Sequence, residues 1–176
     1  MTRRPGTRLW IVPLLLSTAA SAGSPSSPGD PASTAINTAQ DTVDVQHVMD
    51  AFHDAVVTHN GSRLAALFIP EGSTWLNVLS DGAYARAKAK SPDAAKVRLG
   101  GYMQFAKFVS TSKASLDPRH SHVQIQSDGT IASVYFDFRF LIDGQVENQG
   151  SETWQLVKGA EGWRIAAITY SSDPHL

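Results

Sequence analysis

Val45, Val48, Met49, Phe52 and Val56 recur every three to four residues, opposite Asp44, Asp50 and Asp54, and predict an amphipathic helix of about four turns. Asp41 or Thr42 caps it in this reading. Asn60-Gly61 ends it, because both residues tolerate a left-handed backbone. A short helix over residues 62–68 turns Leu64, Leu67 and Phe68 inward, and Pro70-Glu71-Gly72 breaks the chain before a strand-like run at 73–79. Residues 81–98 intersperse Arg86, Lys88, Lys90, Lys96 and Arg98 with alanines and read as a solvated surface excursion. After Gly100-Gly101, a helix over 102–111 presents Tyr102, Phe105, Ala106 and Val109 on one face.

From residue 120 the period changes from 3.6 to two. Residues 120–126 and 131–142 alternate on either side of Ser127-Asp128-Gly129-Thr130, a two-residue hairpin signal, and runs at 150–158 and 163–172 follow around a turn at 159–162. Helices first and a meander last predict an α+β domain, with a curved antiparallel sheet wrapped around the helices. An Asp128-Gly129 loop sets Ser127 against Thr130. Val123 then opposes Val134, Ile125 opposes Ala132, His122 opposes Tyr135, and His120 opposes Asp137. Opposed Cβ atoms lie about 5 Å apart, so His120 and Asp137 are expected to hydrogen-bond. The row Val134, Phe136, Phe138, Phe140, Ile142 is apolar enough to face helices or a second subunit. The opposite row, Ser133, Tyr135, Asp137 and Arg139, is polar, and with Trp154 and Leu156 on its face it would make a half-lined cavity.

The residues ahead of the first helix bear on where the protein works. Arg3, Arg4 and Arg8, an apolar run at 9–16 and Ala20-Ser21-Ala22 are the parts of a secretory signal peptide, read as residues 1–22. The run falls short of the roughly 20 residues of a spanning helix. The expectation is a periplasmic or secreted protein with no membrane span once the peptide is removed. Residues 23–40, rich in Ser, Pro, Ala and Gly, read as a disordered linker, and 41–176 as one domain. Removing three arginines leaves twelve basic against sixteen acidic residues, a net charge of −4 with His neutral, which argues against a nucleic-acid partner. With no cysteine there is neither a disulfide nor a thiol nucleophile. His120-x-His122 offers only two imidazoles, and no glycine loop suits a phosphate, so neither metal nor cofactor is expected.

The first helix running into HNGSRLAALFIPEGSTW, the later GGYMQFAKFV helix, the DGTIASVYFDF strand and the closing TWQLVKGAEGWRIAAI resemble the nuclear transport factor 2-like superfamily, with its SnoaL-like and ketosteroid-isomerase-like members. The resemblance spans essentially all of residues 41–176. It implies a cone-shaped sheet around the first helix, a pocket between sheet and helices, and a homodimer joined through the sheet. The isomerase machinery is not carried over with it. The oxyanion-hole tyrosine falls on Phe52, and the base aspartate on Leu76, between Trp75 and Asn77.

Three readings remain open. In the first, the cone binds a small, largely apolar molecule among Phe52, Trp75, Tyr102, Phe105, Tyr135 and Trp154, with His122 and Arg139 as polar partners. In the second, an enzyme of dehydratase, cyclase or hydrolase type uses His120 as base and Asp137 to orient it. In the third, the phenylalanine row pairs two copies of an interaction module. Which face of the meander meets the first helix decides among them.

Overall fold

The computed structural model describes residues 31–70 and 72–174, with side chains from residue 39 onward. The signal peptide read at 1–22 and the linker residues 23–30 lie outside the described residues. Helix α1, Pro31–Val57, starts well before its apolar stripe, inside the segment read as linker. Proline suits a first helical turn because its missing N–H has no partner there. Once the packed stripe nucleates the helix, each added residue gains a hydrogen bond. Asp41, expected as the cap, is instead buried mid-helix, and its carboxylate pairs with Lys158 Nζ at 2.6 Å.

The stripe itself is buried as the spacing predicts, with Val45, Met49, Phe52 and Val56 at 5 % exposure or less. His59, not Asn60 or Gly61, takes the left-handed backbone at the helix end, with φ 55°. Asn60 caps α2, Gly61–Ala65, by accepting from the Arg63 N–H at 2.9 Å. Gly61 is required for a different reason. A Cβ there would stand 2.1 Å from the Ala106 carbonyl oxygen of α4, Tyr102–Thr111, so α2 and α4 touch through a bare backbone.

The remaining elements are β1 (Thr74–Leu79), α3 (Asp81–Lys90), β2 (Val97–Leu99), β3 (Leu116–Ser127), β4 (Ile131–Ile142), β5 (Gln145–Gly159) and β6 (Gly162–Ser172). The region read as a surface excursion is thus a helix followed by an edge strand. The six strands form one sheet in the order β2-β1-β6-β5-β4-β3, antiparallel except for the β1–β6 pair. Its inner face packs on α1 through Val134, Phe136, Trp154, Leu156, Ile165 and Ile168.

The β3–β4 register differs from the sequence reading twice. Ser127 pairs with Ala132 instead of Thr130, and residues 128–130 form the loop. The Asp128 carboxylate accepts from the Thr130 and Ile131 N–H groups at 2.8 and 2.9 Å, a side-chain turn that replaces the two-residue loop. Further along, His122 and Val123 together oppose one residue of β4, between the pairs Ser121–Asp137 and Gln124–Tyr135. This β-bulge reverses the side assignment of everything before it. His120 now pairs with Phe138 on the inner face, while Asp137 faces outward with Ser121. Trp154 and Leu156 pair with Val134 and Ala132, so they belong to the inner face and not to the polar row. Further bulges after Phe140 and Gln155 add to the curl of the sheet around α1.

Candidate functional site

Between α1, α4 and the inner face of the sheet, the core opens into a cavity of about 150 Å³. Phe52 of α1 and Phe105 of α4 stack at 6.0 Å, Phe105 meets Phe140 at 6.0 Å and Trp75 at 5.4 Å, and Tyr170 stands edge-on to Phe138 at 5.8 Å. These rings wall the space, and Pro118, His120, Asn148 and Glu152 complete it. The placement follows from strand alternation. Phe138 lies on the inner row of β4, Glu152 and Trp154 on that of β5, and Tyr170 on that of β6.

Glu152 is the unusual member. An acidic residue in an apolar row must either find a partner or give up its charge. Burial pushes its carboxyl up to about 7, against a hydrogen bond of 2.5 Å from the Trp154 indole Nε1–H to Oε1. His120 responds in the opposite sense. Burial lowers it to about 4, helped by His53 and opposed by Asp50, so its ring is neutral at ordinary pH. That ring lies 4.6 Å from Phe136 and 6.4 Å from Phe52, centroid to centroid. Burial raises Tyr170 as well, and its hydroxyl accepts from Asn77 Nδ2 at 3.0 Å. Pro118 and His120 also line a wider, shallower groove of about 530 Å³ between α1 and β3, beside Asp50, His53 and Arg119. The inner cavity, smaller but apolar-walled with a few convergent polar groups, is the better candidate site.

Of the residues expected to line a pocket, Phe52, Trp75 and Phe105 do so. Tyr102 stacks on Phe68 at 4.8 Å, one layer away, and Trp154 is fully buried behind Phe52, where it reaches the site through Glu152. His122, Tyr135 and Arg139 lie on the outward face and cannot touch a ligand in the cavity. The expected His120–Asp137 pair does not form. The bulge gives Asp137 to His122 instead, at 2.9 Å, and Ser151 Oγ donates to the other carboxylate oxygen at 2.9 Å. Those bonds, His122 first, hold the Asp137 carboxyl below its ordinary range. The His122 and Asp137 side chains are 80 % and 47 % exposed, which suits a surface contact rather than an acid-base pair. Glu152, Tyr170, Phe138 and Asn148 were missed as site residues. The signal for Glu152 was present, since it stands two residues from Trp154 and four from Leu156.

No family model and no curated protein matches this sequence. Solved structures do match its fold. An NTF2-like protein with a cystatin-like fold from Novosphingobium aromaticivorans superposes with a TM-score of 0.58 at 9 % identity, covering 81 % of this chain and 90 % of its own. The fold is the NTF2-like, cystatin-like α+β cone. An NTF2-like protein of unknown function from Shewanella baltica has a TM-score of 0.56 at 14 % identity, over 78 % of this chain and 97 % of its own. A proposed dehydratase of the NTF2-like family from Streptomyces avermitilis has the same TM-score at 16 % identity, over 78 % and 98 %. At these identities the likeness speaks for the cone alone, and function has to be argued from the cavity.

Proposed function

We propose that this protein is an exported NTF2-like domain that binds a small, largely apolar molecule in the cavity between α1, α4 and the inner face of the sheet. The observation that carries the reading is an aromatic-walled void around a single buried carboxyl. A close-packed core fills such space unless something else is meant to occupy it. A void of about this size lined by apolar side chains accommodates a benzene-sized molecule. Trp75 lines the cavity, so an occupant should change its emission. Native mass spectrometry of protein taken from a bacterial periplasm, combined with titration of Trp emission against small aromatic and alicyclic compounds, tests the reading. Unliganded protein together with unchanged emission throughout the panel would remove it.

A second reading, catalysis, has support in Glu152 rather than in the divided His120–Asp137 pair. A carboxyl that titrates near neutral pH inside a cavity can both take and return a proton. Glu152→Gln should then abolish turnover in a dehydratase-type substrate panel while ligand binding survives. Loss of binding and turnover together would favour the first reading. The homodimer in this proposal joins through the outward sheet face, where Tyr135 and Ile131 are 46 % and 55 % exposed, because the Phe136 and Phe138 row is committed to the core. Sedimentation of Tyr135→Asp should show a folded monomer, and an unchanged sedimentation coefficient would reject that face.

A further inference from the structure

We propose that the cavity selects a small organic cation, the protonated amine or quaternary ammonium group of a ligand about the size of a benzene ring, with Glu152 as counter-ion. The inference rests on the small-ligand reading and names the chemistry of that ligand. Phe52, Trp75, Phe105, Phe138 and Phe140 converge on one space, with neighbouring ring centroids 5.4 to 6.0 Å apart where they meet. An aromatic face carries the negative part of its quadrupole, so a cation enclosed by several faces is attracted to all of them. Among the described residues, no Lys or Arg lines the cavity to compete for that role.

Glu152 supplies the formal charge. Trp154 bonds to one of its carboxyl oxygens, and among the described residues no protein group donates to the other. With the cavity empty, the carboxyl keeps its proton up to about pH 7, because an isolated charge there is costly. An ammonium group removes that cost by standing beside the carboxylate as it ionises. A neutral ligand gains the apolar contacts but offers the carboxylate no counter-charge. An anion meets both the carboxyl and the π faces unfavourably. The other titratable groups around the space are His120 on β3 and Tyr170 on β6. Asp50 and His53 of α1 act on His120, and Arg98 of β2 on Tyr170. None of these places a cation against Glu152 near neutral pH.

Calorimetry with benzylammonium, benzyl alcohol and benzoate, which share a shape and differ in charge, tests the inference on the whole secreted chain. At pH 8 benzylammonium should bind at least about tenfold more tightly than benzyl alcohol, and benzoate more weakly than either. Below about pH 7 the ammonium must displace the proton of Glu152. Its affinity should then fall by up to about tenfold per pH unit, with proton release visible as a dependence on buffer ionisation heat. Glu152→Gln should remove most of the preference for benzylammonium over benzyl alcohol, leaving only the part that the π faces supply, and should abolish its dependence on pH near 7. Phe105→Leu, which keeps the apolar volume and removes one π face, should reduce the same preference without requiring Glu152 to be altered. Benzyl alcohol binding as well as benzylammonium would overturn the cation inference and leave the small-ligand reading standing. Failure of all three compounds to bind would overturn both.

Discussion

Replacing Glu152 by Gln should make stability rise with pH between about 4.5 and 6.5, where that of the native protein is nearly flat. The carboxyl is raised from an ordinary 4.5 to about 7, so within that window the unfolded chain has lost the proton that the folded one keeps. Its contribution is fully present at low pH and is lost as the pH rises through about 7. At about 1.4 kcal/mol per pH unit, this amounts to about 3 kcal/mol. His120 works the other way. Its pKa falls from 6.5 to about 4, so below 6.5 the unfolded chain takes up a proton that the folded ring refuses, and about 3 kcal/mol is lost as the pH falls. In the native protein the two slopes oppose each other and nearly cancel. Glu152→Gln exposes the His120 slope, and His120→Phe exposes the Glu152 slope. Urea denaturation at half-unit steps from pH 4.5 to 7 measures both, and the groups common to all three proteins drop out of the differences. A difference between the native protein and Glu152→Gln that does not change with pH would refute the argument, because it would mean that the carboxyl ionises as freely in the fold as in water.

Other expectations follow from single contacts. Gly61→Ala places a methyl group against the Ala106 carbonyl and should cost about 1 to 3 kcal/mol by thermal or urea denaturation, as overpacking does. Lys158→Met should lower Tm more than Asp41→Asn, since it strands a carboxylate that is only 4 % exposed, whereas the amide keeps a polar group that can still be hydrogen-bonded. Trp154→Phe removes the donor that holds Glu152 down, and carbon-detected NMR titration of the carboxyl should place its midpoint above 7. Asp137→Ala should leave both Tm and ligand affinity unchanged, and a loss of binding would show that the outward His122–Asp137 pair reaches the cavity after all.

Much of the fold was legible because helices and strands differ in their apolar period. The stripe on α1, the Tyr102–Thr111 helix and all twelve residues of β4 follow from spacing alone. The edge strand β2 was not legible. Its three residues are all exposed, and it forms only because β1 offers an open edge. Three of the ten lining residues were also visible, since Phe52, Trp75 and Phe105 are large apolar residues on predicted inward faces. The chemistry was misplaced for a local reason. Asp128 satisfied two backbone N–H groups with its own carboxylate and lengthened the hairpin loop, and the bulge at His122–Val123 then exchanged the two faces of β3.

By itself, then, the sequence determined which segments become helix or strand and which row of β4 is apolar, because those depend on neighbours within a few residues. Only the tertiary structure decided that His120 faces the core, that His122 takes Asp137, and that Glu152 is buried beside aromatic rings. A single unpaired residue in a strand turns every side chain before it to the other face. A carboxyl's proton affinity depends on groups gathered around it from five strands and two helices, and no local pattern along the chain records that arrangement.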